Sequence, residues 1–92
     1  MAVTIRIPTQ LRSLAGGASE VSVEAATVSD ALKALDAHHA GFAERLFDDK
    51  GELRRFVNVF VADEDIRFLQ NLDTPVENGQ VVSIVPAVAG GA

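Results

Sequence analysis

The chain has no cysteine, which excludes disulfides, thiolate-bound metals and a cysteine nucleophile together. It also lacks any apolar run approaching the ~20 residues a membrane span needs. Its first residues, Met1 to Pro8, carry neither the basic segment nor the long apolar stretch of a signal peptide. A soluble, cytoplasmic protein with no membrane partner is the expectation. Positive charge is scarce as well, with eight Lys and Arg against thirteen Asp and Glu and a net charge of −5. Nucleic-acid binding needs the opposite balance. Mild acidity suits solubility, and it is compatible with docking on a basic protein surface, where charge mainly raises the association rate.

Ninety-two residues, 48% of them hydrophobic, make one small domain with a real core and a thin stability margin. Val3, Ile5 and Ile7 alternate with Thr4, Arg6 and Pro8, the period of a half-buried strand. Gly16-Gly17 marks a loop, and residues 20–24 alternate again, so an antiparallel pair is expected. Thr27 and Asp30 form a variant of the capping box. Val28, Ala31, Leu32 and Leu35 then follow at helical spacing. Gly41 is a stop signal, Phe42 to Phe47 suggests a short helical turn, and Asp48-Asp49-Lys50-Gly51 is a turn cluster. Residues 56–61 read as the strongest strand, 66–69 as a short returning strand, and Asn78-Gly79 as the turn feeding a final strand, 81–85.

Strand, strand, helix, strand, short strand, strand is the order of an α+β β-grasp, or ubiquitin-like, roll. It has a mixed sheet of four to five strands with one main helix packed on one face. The long connection after the second strand lets the first and last strands run parallel in the middle. The domain is expected to occupy residues 1–86, with residues 87–92 as a flexible C-terminal tail. That tail, Ala87-Val88-Ala89-Gly90-Gly91-Ala92, is small, uncharged and nearly without side chains. From Pro86 it reaches Gly91, at most about 17 Å away, far enough to enter a narrow channel. Composition alone does not separate this reading from a merely frayed end, because Leu14-Ala15-Gly16-Gly17 is nearly a copy.

Other candidate sites are weaker. Asp63-Glu64-Asp65 lacks the glycine and distant glutamate of a calcium loop and reads as a solvated turn. His38 and His39 are adjacent, so they cannot present two metal ligands on one helix face. Arg54 and Arg55 are too few for a nucleic-acid patch. Phe56 and Phe60 are more informative. If Val57, Val59 and Val61 face the core, these rings stand on the opposite face beside Asn58 and mark a partner surface flanked by Val85 and Val88. In the reverse register they are core, and Val85 and Val88 flank the docking site in either case.

The stretch Arg55-Phe56-Val57-Asn58-Val59-Phe60-Val61-Ala62-Asp63-Glu64-Asp65-Ile66-Arg67-Phe68, together with Ile7-Pro8-Thr9-x-Leu11-Arg12, Glu44-Arg45-Leu46 and Pro86 to Gly91, resembles the ThiS/MoaD family of prokaryotic sulfur carriers. The likeness is to the CysO-type branch used in cysteine biosynthesis, and it spans essentially the whole chain. The resemblance implies a protein cosubstrate and not an enzyme. It implies, too, that the chain carries no catalytic side chain, no metal and no cofactor of its own. An E1-like activating enzyme would use ATP to adenylate the carboxylate of Gly91, and sulfide or a persulfide would then convert it to a thiocarboxylate. Gly90, Ala89 and Val88 would enter the partner's site, and Phe60, Phe56 and Val85 would dock. A pyridoxal-phosphate-dependent cysteine synthase, or another sulfur-accepting biosynthetic enzyme, would take the sulfur. Ala92 departs from the family pattern, and the resemblance implies its removal by a JAMM-type metalloprotease. A ubiquitin-like protein modifier and the small subunit of a molybdopterin-synthase-like complex are the alternatives.

Overall fold

A computed structural model describes residues 2–55 and 57–86. Five strands form one mixed sheet: β1 (Ala2–Arg6), β2 (Glu20–Glu24), β3 (Val57–Val61), β4 (Glu64–Asp65) and β5 (Val81–Pro86), in the order β2-β1-β5-β3-β4. β1 pairs antiparallel with β2 and parallel with β5, and β5 pairs antiparallel with β3. The first and last strands are thus central neighbours, as the element order requires.

Alternation decides which face each strand buries. Val3, Ile5, Val23, Val57, Val59, Val61, Val82 and Ile84 are all buried. They share one side of the sheet, because residues opposite one another on paired strands point the same way. Helix α1 (Val28–His38) covers that side with Val28, Ala31, Leu32 and Leu35, none of which retains measurable exposure. Its start is doubly satisfied. Thr27 Oγ1 accepts from the Asp30 amide at 3.2 Å, and the Thr74 carbonyl accepts from the Val28 amide at 3.0 Å. Thr74 is itself buried, its hydroxyl accepting from the Gln70 amide. Among the described residues no buried side-chain polar atom lacks a partner.

A second helix, α2 (Phe42–Leu46), adds Phe42 and Leu46 to the core. It is started from α1: Asp36 Oδ1 accepts from the amides of Gly41 (3.2 Å) and Ala43 (2.9 Å). Gly41 has φ +109°, and a Cβ there would sit 3.3 Å from Leu14 Cδ2. Both the backbone angle and the space therefore select glycine.

Two local expectations are corrected. The β3–β4 turn is only Ala62-Asp63, both at positive φ (51° and 70°), so Glu64 and Asp65 belong to a strand and not to the turn. The returning strand expected at 66–69 does not form. Asp65 Oδ1 accepts from the Arg67 amide at 2.9 Å and starts a 3-10 helix, Ile66–Phe68. The apolar residues of that segment consequently separate, Ile66 going into the core and Phe68 into solvent. The connection from β1 to β2 also contains a 3-10 helix, Thr9–Ala15, ended by Gly16 at φ 65°.

Leu35→Ala should lower unfolding free energy by about 2–5 kcal/mol, the range for truncating a fully buried leucine, as read by urea denaturation. Gly41→Ala should cost about 1–2 kcal/mol, because an L-residue is forced to a left-handed angle. A melting temperature unchanged from wild type would contradict that.

Candidate functional site

The face opposite the helices is built from the other half of each alternation. Asn58 lies opposite Val85 and Phe60 opposite Ser83, across β3 and β5. Thr4 lies beside Val81 and Arg6 beside Ser83, across β1 and β5. Phe60 is therefore half-buried on the open face, with the β3 valines in the core. Of the two registers the sequence allows, the one that turns Phe60 outward is formed, and the reason is the aliphatic run. Three valines on one side of a strand bury more apolar surface under a helix than Asn58 and Phe60 would, and Asn58 would have needed a buried partner.

Val85 is 44% exposed, large for an aliphatic residue on a central strand. With Phe60 and Val81 it makes a loose apolar stripe on the open face, interrupted on β5 by Ser83, which lies opposite Phe60. Polar groups frame the stripe: Asp65 lies opposite Phe60 on the edge strand, and Arg6 and Glu20 lie opposite one another on the other side. Arg6 Nε lies 3.4 Å from Glu20 Oε2, but both side chains are more than half exposed, so the pair adds little stability. Val81, Thr4 and Ser83 were not singled out from the sequence. The period-two pattern of β1 and β5 contained them, but only the pairing of strands joins them to this face: the antiparallel β3–β5 register sets Ser83 opposite Phe60, and the parallel β1–β5 register sets Thr4 beside Val81.

The remaining sequence candidates separate. His38 ends α1 and His39 caps it. Asp63, Glu64 and Asp65 are divided between turn and edge strand. Among the described residues no cluster of three or more His, Asp or Glu could hold a metal ion, and no helix is long and apolar enough to cross a membrane. Phe56, Val88, Ala89, Gly90, Gly91 and Ala92 lie outside the described residues. β5 brings the chain as far as Pro86, opposite Val57 on β3. Hydrogen-bonded neighbours on both sides fix the strand from which residues 87–92 continue.

Comparison with known proteins agrees with this architecture. A family model described as the ThiS family matches residues 5–91. Sulfur carrier protein CysO of Mycobacterium tuberculosis is 46% identical over 93 residues, covering 99% of this chain and all of that protein. Small archaeal modifier protein 3 of Haloferax volcanii is 41% identical over 66 residues, covering 72% of this chain and 71% of that one. In the crystal structure of the BexX/CysO complex from Amycolatopsis orientalis, one chain superposes with a TM-score of 0.91 at 44% identity, covering 97% of this chain and 99% of that one. A β-grasp sheet, a segregated open face and similarity along the whole length converge: this chain belongs to the ThiS family and is CysO-like in sequence and structure.

Proposed function

We propose that this chain is a sulfur carrier whose reactive group is the carboxylate of Gly91, unmasked when Ala92 is cleaved away. The observation that carries the proposal is full-length similarity to sulfur carrier protein CysO, with the family match running to residue 91 and leaving Ala92 beyond it. Residues 1–86 act as a rigid body and 87–92 as the segment a partner takes in. In the activation step a Gly91 carboxylate oxygen attacks the α-phosphorus of ATP on an E1-like enzyme, and pyrophosphate leaves. Hydrosulfide then adds to the acyl carbon and AMP departs, leaving a C-terminal thiocarboxylate. Adenylation is needed because a free carboxylate is a poor acyl donor. The product sulfur is a soft nucleophile at neutral pH, which suits transfer to the activated acceptor of a pyridoxal-phosphate-dependent cysteine synthase or a related biosynthetic enzyme. Gly90 and Gly91 permit close backbone approach at the point of chemistry. Phe60, Phe56 and Val85 supply the apolar contact that holds the body outside while Val88 and Ala89 enter. Similarity to a small archaeal modifier favours one further reading, in which activated Gly91 is joined to lysines of other proteins.

Intact-mass measurement separates these readings. Incubated with a JAMM-type protease, the E1-like enzyme, ATP and sulfide, the chain should lose one alanyl residue and then gain the mass of one oxygen-to-sulfur exchange. A chain that keeps Ala92 and forms no adenylate would overturn the proposal. A ladder of high-mass conjugates in a blot of cell extract would support the modifier instead. Phe60→Ala should lower kcat/KM for adenylation about tenfold, equivalent to about 1.4 kcal/mol of lost contact. Its effect on unfolding should be smaller than that of Leu35→Ala, since Phe60 stands outside the core.

A further inference from the structure

The protein is acidic overall, yet one end of its sheet gathers arginines. Arg54 and Arg55 precede β3, and Arg67 lies in the 3-10 helix after β4. Arg67 Nη2 donates to the Arg55 carbonyl at 3.2 Å across a separation of 12 residues. Arg54 Nε donates to the Glu44 carbonyl at 3.1 Å. All three residues line one open cleft of about 700 Å³, with Leu53, Val57 and Leu72 also among its walls.

The charged residues lining this cleft leave one formal positive charge, three arginines against two carboxylates, Glu52 and Asp73. Even so, among the described residues no carboxylate lies within ion-pair distance of Arg54, Arg55 or Arg67, and the Arg6–Glu20 pair is on β1 and β2. A guanidinium carries five N–H donors, so anchoring one to a backbone carbonyl leaves most of the fork free. Backbone anchoring also reduces the entropy lost when the remaining donors are engaged. Beside Arg67, Phe68 is 86% exposed and Leu69 38%. A single exposed apolar residue needs no explanation. An aromatic ring next to under-paired arginines is different, because Arg and aromatic side chains are the groups enriched in the energetic centres of protein interfaces.

Position makes this cleft relevant to the carrier reading. Val57 forms part of its wall and is the register partner of Pro86. The cleft therefore opens at the end of the sheet where β5 stops and residues 87–92 begin. Whatever protein takes in those residues comes up against this end.

We propose that the Arg54–Arg55–Arg67 cleft receives an acidic segment of the tail-receiving protein, with two or more carboxylates pairing with the guanidinium forks and an apolar contact made to Phe68. The proposal rests on the function proposed above and adds a second contact, separate from the apolar stripe on the open face. For a chain of net charge −5, a local cationic cleft orients the approach to a partner whose acidic groups would be repelled elsewhere.

The test uses the chain trimmed to Gly91 and the E1-like adenylating enzyme, with association kinetics by surface plasmon resonance over a series of salt concentrations. ATP–pyrophosphate exchange is followed in parallel. R55E/R67E should lower the on-rate about tenfold at low salt and flatten its salt dependence. The loss in exchange should appear in KM. R55K/R67K, which keeps the charge, should retain most of the on-rate, and Phe68→Ala should act mainly by raising the off-rate. An R55E/R67E protein that melts like wild type and shows the wild-type on-rate and salt slope would overturn the assignment. If that double variant does not fold, Arg55→Ala and Phe68→Ala, both at exposed positions, decide the matter by the same readouts. Wild-type chain that binds with this salt dependence but is never adenylated would overturn the carrier function and leave the acidic-partner surface standing. Wild-type chain that does not bind the enzyme would overturn both.

Discussion

The parallel pairing of β1 with β5 is the constraint on which the rest depends. A parallel pair cannot be closed by a tight turn, so the chain between them has to supply everything else: the β2 edge, both helices, and the β3–β4 edge on the far side. Once β5 is inserted between β1 and β3, its alternation is fixed from both sides. Val82 and Ile84 are committed to the core, and Val81, Ser83 and Val85 to the open face. A slip of one residue would exchange those two sets and bury Ser83 without a designated partner. The last strand is consequently the most tightly specified element of the sheet, and the proposed reactive terminus continues from it.

This arrangement divides labour between two faces. The aliphatic side packs under α1 and α2 and supplies stability. The open side carries a narrow apolar stripe framed by charge. A small domain has little margin, and leaving Phe60, Val81 and Val85 outside the core forgoes burial that could have stabilised it. Under the function proposed above, docking of a partner on this face would recover the forgone burial. The stripe runs along β3 and β5 toward Pro86, so an apolar contact made there leads to the end of β5.

Much of this was legible in the residues because the signals are local. Val3-Ile5-Ile7, the Thr27–Asp30 cap and the β3 valines each specify their element within a few positions, and the element order then admits very few topologies. The choice of face for Phe60 was not local. It depended on whether three valines or two larger residues would lie under a helix, and that is settled by packing. The segment after β4 departs from the strand its apolar residues at 66, 68 and 69 suggest. A single Asp65 carboxylate, accepting from the Arg67 amide, redirected the backbone instead. The arginine cleft was invisible for a related reason: Arg55 and Arg67 meet only through a backbone carbonyl that tertiary structure brings within reach.

The clamp at the start of β1 has a practical corollary. The Ala2 amide donates to Asn78 Oδ1 at 3.0 Å, and its carbonyl accepts from the Gly79 amide at 2.8 Å. The start of the first strand is thereby tied to the turn that leads into the last one. Because β1 and β5 run the same way, Ala2 and Pro86 stand at opposite poles of the sheet. The domain works as a directional handle. A label, bead or fusion joined ahead of Ala2 would sit a full strand length from Pro86 and from the arginine cleft, while anything joined after Ala92 would block the carboxylate that the proposed function requires.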